Sequence, residues 1–173
     1  MGDLIFLIGY RGVGKTTVGR SLAEYLGYAF VDTDAEIVRR KGTAIAAIVA
    51  EEGWKEFRRL EKEVLNSLKD ASRVVVATGG GAVVHRQAWQ QLRRRATIFW
   101  LTAETLIILQ RLGADPASEH QRPPLAGQSI AEEVAAVMAE RMPLYKCTAH
   151  HCVDTSDLGE DAVVRVIGDI LER

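Results

Sequence analysis

The sequence is poor in cysteine, asparagine and net charge, and its few prolines fall late in the chain. Only Cys147 and Cys152 occur in 173 residues. Two cysteines do not make the disulfide framework of a small secreted domain, so a reducing cytoplasm is the expected compartment. The 22 basic and 23 acidic side chains nearly cancel. That balance argues against nucleic acid or an anionic membrane as the main partner, while leaving room for a local basic pocket. The strongly apolar stretch near the start, Leu4–Ile8, is far too short to cross a bilayer, and it lacks the basic flank and cleavage site of a signal peptide. The single asparagine, Asn66, is followed by Ser67, so the Asn-Lys-x-Asp that reads guanine is missing. No run of four apolar residues ends in Asp-Asp or Asp-Glu, as a motor ATPase requires.

What is present is globular: 47% hydrophobic and 26% charged residues, enough to bury the core of one domain spanning 1–173. Short apolar runs alternate with longer helical patterns. Leu4–Ile8, Ala29–Val31, Val74–Ala77, Ile98–Leu101 and, weakly, Cys152–Val153 read as strands. Helices are expected over Lys15–Leu26, Ala35–Arg40, Thr43–Glu51, Trp54–Lys69, His85–Arg94, Glu104–Leu112, Ile130–Lys146 and Glu160–Leu171. Strands that are apolar throughout are buried on both faces, so the pattern predicts a three-layer α/β domain, an open parallel sheet between helices. Residues 113–128, with Pro116, Pro123, Pro124 and Gly127, break the alternation. A loop of that length is either a lid over a site or an unstructured connection.

Gly9-Tyr10-Arg11-Gly12-Val13-Gly14-Lys15-Thr16 matches the phosphate-binding loop, with a strand before it and a helix after it. Its glycines let backbone N–H groups turn inward around an anion, and the helix N-terminus adds positive potential. Lys15 is placed for the β- and γ-phosphates of ATP and the Thr16 hydroxyl for Mg²⁺. With guanine-reading and motor signatures missing, these residues point to a kinase of a small molecule.

The other candidate groups also follow strands. Asp32-Thr33-Asp34 comes after the second strand; residues two apart on extended chain face one way, so both carboxylates can meet a ligand crevice. The alternative is a helix cap, with Asp34 accepting from Glu36 or Ile37. Gly79-Gly80-Gly81 follows the third strand, either admitting a ligand close to the backbone or making a tight turn. Arg58 and Glu61 are spaced i,i+3 on one helix. Taken alone the spacing favours a surface ion pair; the sharper alternative has Glu61 orienting Arg58 toward a substrate carboxylate. Arg122 sits in the proline-rich segment, and Arg141 precedes Pro143, which should kink its helix. Cys147, His150, His151 and Cys152 fit no common zinc spacing, and Cys152 is expected to enter the core.

Taken in order, Gly9–Thr16, Asp32-Thr33-Asp34, Phe57-Arg58-Arg59-Leu60-Glu61, Gly79-Gly80-Gly81, Arg122-Pro123 and Arg141 before Pro143-Leu144-Tyr145 resemble the shikimate kinase family across nearly the whole chain. The resemblance implies a nucleoside-monophosphate-kinase-like fold, five parallel strands with a mobile lid. It implies transfer of the ATP γ-phosphate to the 3-hydroxyl of shikimate, with Mg²⁺, in the cytoplasm and by a monomer. It further implies nucleotide contacts at Gly12, Val13, Gly14, Lys15, Thr16, Thr17, Arg111 and Arg122, and metal contacts at Thr16 and Asp32. Shikimate would meet Asp34, Arg58, Gly80, Gly81 and Arg141, with Lys15, Asp34 and Arg122 as the catalytic groups. Trp54 stands where many members have Glu, and Pro124 where Leu is commoner. A kinase of another small hydroxy acid, such as gluconate, and a non-catalytic ATP sensor are the competing readings.

Overall fold

The computed structural model describes residues 3–114 and 130–172. Five strands form one sheet: β1 (Leu4–Ile8), β2 (Ala29–Asp32), β3 (Val74–Ala77), β4 (Thr97–Thr102) and β5 (His151–Asp154). Their order across the sheet is β2-β3-β1-β4-β5, and every pairing is parallel. The helices are α1 (Lys15–Leu26), α2 (Thr33–Lys41), α3 (Ile45–Ser67), α4 (Arg86–Leu92), α5 (Thr105–Ala114), α6 (Ile130–Thr148) and α7 (Glu160–Leu171), with a 3₁₀ turn at Ala82–Val84.

β1 explains the layering. All five of its residues are buried, because alternate side chains leave the strand on opposite sides and both sides are covered. Leu4, Phe6 and Ile8 pack with Leu65 of α3, Trp89 of α4 and Tyr145 of α6. Ile5 and Leu7 pack with Val18 and Leu22 of α1, Ile108 of α5 and Ile167 of α7. A third cluster, Ile37, Ile48, Phe57 and Val64, joins α2 to α3 beyond the sheet edge. The three-layer α/β architecture read from the apolar runs is the one observed.

Several boundaries differ from the sequence reading. β2 runs on to Asp32 and α2 begins at Thr33, two residues before the expected start, because the Asp32 side chain caps the helix. The expected helices at 43–51 and 54–69 form one element, α3, broken at Gly53 with φ 81° and ψ 168°. α6 continues through Pro143 to Thr148. Cys152 is exposed rather than buried; β5 lies at the sheet edge, and its inward position belongs to Val153. Of the expected lid, Gly113 and Ala114 end α5, and the remainder, Arg122 included, lies outside the described residues.

Candidate active site

In an open parallel sheet, ligands bind beyond the carboxyl ends of the strands, where neighbouring strands send their connections in different directions. Here that place is the end of β1 and β3, which lie side by side. The loop after β1 and the turn after β3 meet there: a side chain at Gly80 would come 3.3 Å from the Arg11 nitrogen and 3.4 Å from the Gly9 carbonyl oxygen.

The loop after β1 is built as its sequence requires. Gly9 has φ 143°, and a Cβ on it would overlap the Leu101 carbonyl oxygen of β4. Gly14 ends the loop at φ 91° as the residue before α1. The Lys15 ammonium is buried and donates to the Tyr10 carbonyl at 2.7 Å, so the lysine lies back over its own loop. Thr16 and Thr17 are exposed at the start of α1.

The two aspartates divide their work differently from the expectation. Asp32 is the helix cap: its Oδ1 accepts from the backbone N–H groups of Asp34 at 3.0 Å and Ala35 at 3.2 Å. Its Oδ2 accepts from the Thr16 hydroxyl at 2.8 Å, which ties α2 to the loop after β1. Asp34 is in the first turn of α2 rather than on extended chain, and its carboxylate lies against the glycine turn. A Cβ at Gly79 would come within 2.5 Å of the Asp34 Oδ1.

The glycine turn makes room for the chain's own groups. A Cβ at Gly81 would overlap the Arg58 guanidinium, which rests on that residue. The Gly80 carbonyl accepts from Arg141 Nη1 at 3.1 Å and from the Tyr145 hydroxyl at 2.6 Å. Arg58, Gly81 and Arg141 therefore converge on one turn, although they do not line the main cleft.

The Arg58–Glu61 pair is not the surface ion pair that its spacing suggested. Glu61 is 0% exposed, and its Oε2 accepts from Arg58 Nη1 at 2.6 Å and contacts His85 Nε2 at 2.8 Å. Burial alone would push the Glu61 carboxyl up. The His85 hydrogen bond, with the charge and hydrogen bond of Arg58, outweighs it and holds the carboxyl below its usual range. The Arg58 guanidinium also stands 5.8 Å from the Trp54 ring and 5.4 Å from that of Phe57, within cation–π range. His85 was missed in the sequence. It lies 24 residues from Glu61, and a lone histidine carries no local signal.

The main cleft has a volume of about 1140 Å³ and is lined by Gly12–Thr17, Asp32, Asp34, Gly79, Gly80, Arg111 and others. On its far side, Arg111 Nη1 donates to the Thr155 hydroxyl at 3.0 Å and Nη2 to the Thr155 carbonyl at 2.7 Å. The Thr155 hydroxyl in turn reaches the Val13 carbonyl at 3.2 Å. Thr155 is a second group that sequence reading passed over. Among the described residues, no three His, Cys, Asp or Glu side chains are grouped to hold a metal ion. Magnesium does not ask for that: it keeps several waters and takes one or two protein oxygens beside phosphates. Thr16 and Asp32, joined at 2.8 Å, are a donor set of that kind.

A family model for shikimate kinase matches residues 11–172. The chain is 48% identical over 156 residues to shikimate kinase 2 of Dickeya chrysanthemi, covering 90% of this chain and 89% of the relative. It is 45% identical over 167 residues to the shikimate kinase of Nitratidesulfovibrio vulgaris, covering 96% and 92%. Among solved structures, the shikimate kinase of Acinetobacter baumannii in complex with shikimate superposes with a TM-score of 0.88 at 34% identity, over 99% of this chain and 94% of that one. A gluconokinase from Sinorhizobium meliloti shares the fold alone, with a TM-score of 0.55 and 16% identity over 99% and 96%.

Proposed function

Because the chain belongs to the shikimate kinase family, we propose that the cleft carries ATP-Mg and the glycine turn carries shikimate, with the γ-phosphate passing between them to the 3-hydroxyl. The activity is the family's, that of an ATP-dependent kinase acting on shikimate. One observation supports the residue roles above all. The Arg58 guanidinium lies on Gly81 and is held there by a fully buried carboxylate. A guanidinium fixed in that way is suited to a substrate carboxylate, because its donors are set before the ligand arrives.

Arg58 and Arg141 take the carboxylate of shikimate, and the Gly80 and Gly81 backbone takes the ring substituents. Asp34 holds the hydroxyls and receives the proton as the 3-oxygen bonds to the γ-phosphorus and the bond to ADP breaks. Gly12, Val13, Gly14, Lys15, Thr16 and Thr17 hold the phosphates, and Arg111 lies on the base side. Thr16 and Asp32 fit Mg²⁺, whose charge would offset that of the phosphates. Arg122, outside the described residues, is the remaining candidate for the transferring phosphate. No helix among the described residues is long and apolar enough to cross a membrane. A single kinase domain, working as a monomer in the cytoplasm, completes the reading.

The test is ADP release from ATP-Mg with shikimate, with gluconate, and with no acceptor. Shikimate-dependent release is expected. Release with gluconate alone would move the substrate, and no acceptor-dependent release, with ATP binding confirmed, would favour a non-catalytic ATP sensor.

A further inference from the structure

His85 takes no part in the roles assigned above, yet its side chain is only 10% exposed and its Nε2 is 2.8 Å from Glu61 Oε2. Arg58 donates to that same oxygen at 2.6 Å. The other oxygen, Oε1, is buried and has no hydrogen-bond partner among the described residues. An ionised carboxylate only accepts, so the contact requires the proton on Nε2. Two donors arriving from different elements fix Oε2. With Arg58 as the only donor, the carboxylate is free to turn and present Oε1, carrying the guanidinium off Gly81.

The backbone places His85 for this task. Val84 donates its N–H to the Gly81 carbonyl at 3.2 Å, and His85 donates its own to the Ala82 carbonyl at 3.2 Å. The Trp89 indole N–H donates to the Ala82 carbonyl at 2.7 Å, anchoring the turn from below. The short turn that begins at Gly81, where Arg58 rests, therefore also brings His85 under Glu61.

We propose that His85 is a positioning residue for substrate recognition: it locks the Glu61 carboxylate, and through it the Arg58 guanidinium, in the orientation that receives the carboxylate of the acceptor. This rests on the reading of Arg58 as the carboxylate-binding group. A residue acting only through Arg58 should change acceptor affinity and leave the nucleotide side alone.

Steady-state kinetics of His85→Leu, His85→Gln and His85→Asn, beside the unsubstituted chain, test it. Glutamine can place an amide N–H near the former Nε2; asparagine stops short. The expected result is a shikimate KM raised about 5- to 10-fold in the Leu and Asn variants, with ATP KM and kcat within about twofold. The Gln variant should return to within about twofold of the unsubstituted chain. If His85→Leu does not fold, the Gln and Asn variants decide alone. Equal shikimate KM values for those two, or parallel rises in both substrates' KM, would overturn the role. No shikimate-dependent turnover in the unsubstituted chain would overturn the functional reading, and this inference with it.

Discussion

A methyl group added at Gly9 and one added at Gly81 meet different obstacles. At Gly9 it meets the Leu101 carbonyl on a backbone held at φ 143°, and neither the strand nor the dihedral can yield cheaply. At Gly81 it meets the guanidinium of Arg58, the far end of a long side chain that can swing away. Gly9→Ala should therefore lower the melting temperature by about 5 °C or more and weaken ATP binding with it. Gly81→Ala disturbs the buried Arg58–Glu61 pair and should lower the melting temperature by about 2–5 °C, yet raise the shikimate KM about tenfold, with ATP KM unchanged. Parallel losses in the two variants would show that Gly81 serves the fold and not the substrate.

At the scale of elements, α3 and the turn before α4 are joined by one buried carboxylate. The Glu61 carboxyl is held below its ordinary value of 4.5. Its contribution to stability is therefore complete above that value and is lost as pH falls through the lower folded-state value. Glu61→Gln should cost about 2 kcal/mol at pH 7, and thermal melts at falling pH should show the gap to the unsubstituted chain closing once the pH drops below the ordinary carboxyl value of 4.5. A gap that stays constant across that range would mean the charge of Glu61 contributes nothing. This junction also marks where the sequence ceased to be readable. The loop after β1 was legible because its chemistry is local: glycines, lysine and threonine sit side by side between a strand and a helix. The i,i+3 spacing of Arg58 and Glu61 gave their contact but not their burial, since burial depends on a turn 20 residues further on. The Asp32 and Asp34 roles turned on a boundary. When a helix starts two residues early, the cap passes from the second aspartate to the first, and periodicity does not resolve a boundary that finely.

Taken whole, the molecule places its main cleft and its glycine turn on the ends of adjacent strands, so under the proposed roles each ligand should stabilise the native chain separately. Shikimate at 100 times its dissociation constant should raise the melting temperature by about 5–10 °C, and gluconate should leave it within error. A shift with gluconate as large as that with shikimate would show that the turn does not select by carboxylate and ring. Fold class was readable at this scale because every residue of β1 is apolar, and apolar runs of that kind need cover on both faces. The limits of the sheet carry a consequence of another sort. β2 and β5 bound it, each only four residues long and each ending in an aspartate, Asp32 and Asp154. Short edges that close on a charge are poor templates for a strand from another molecule. The chain should therefore tolerate the crowded concentrations of a working cell, and of a stored preparation, without its sheets growing into one another.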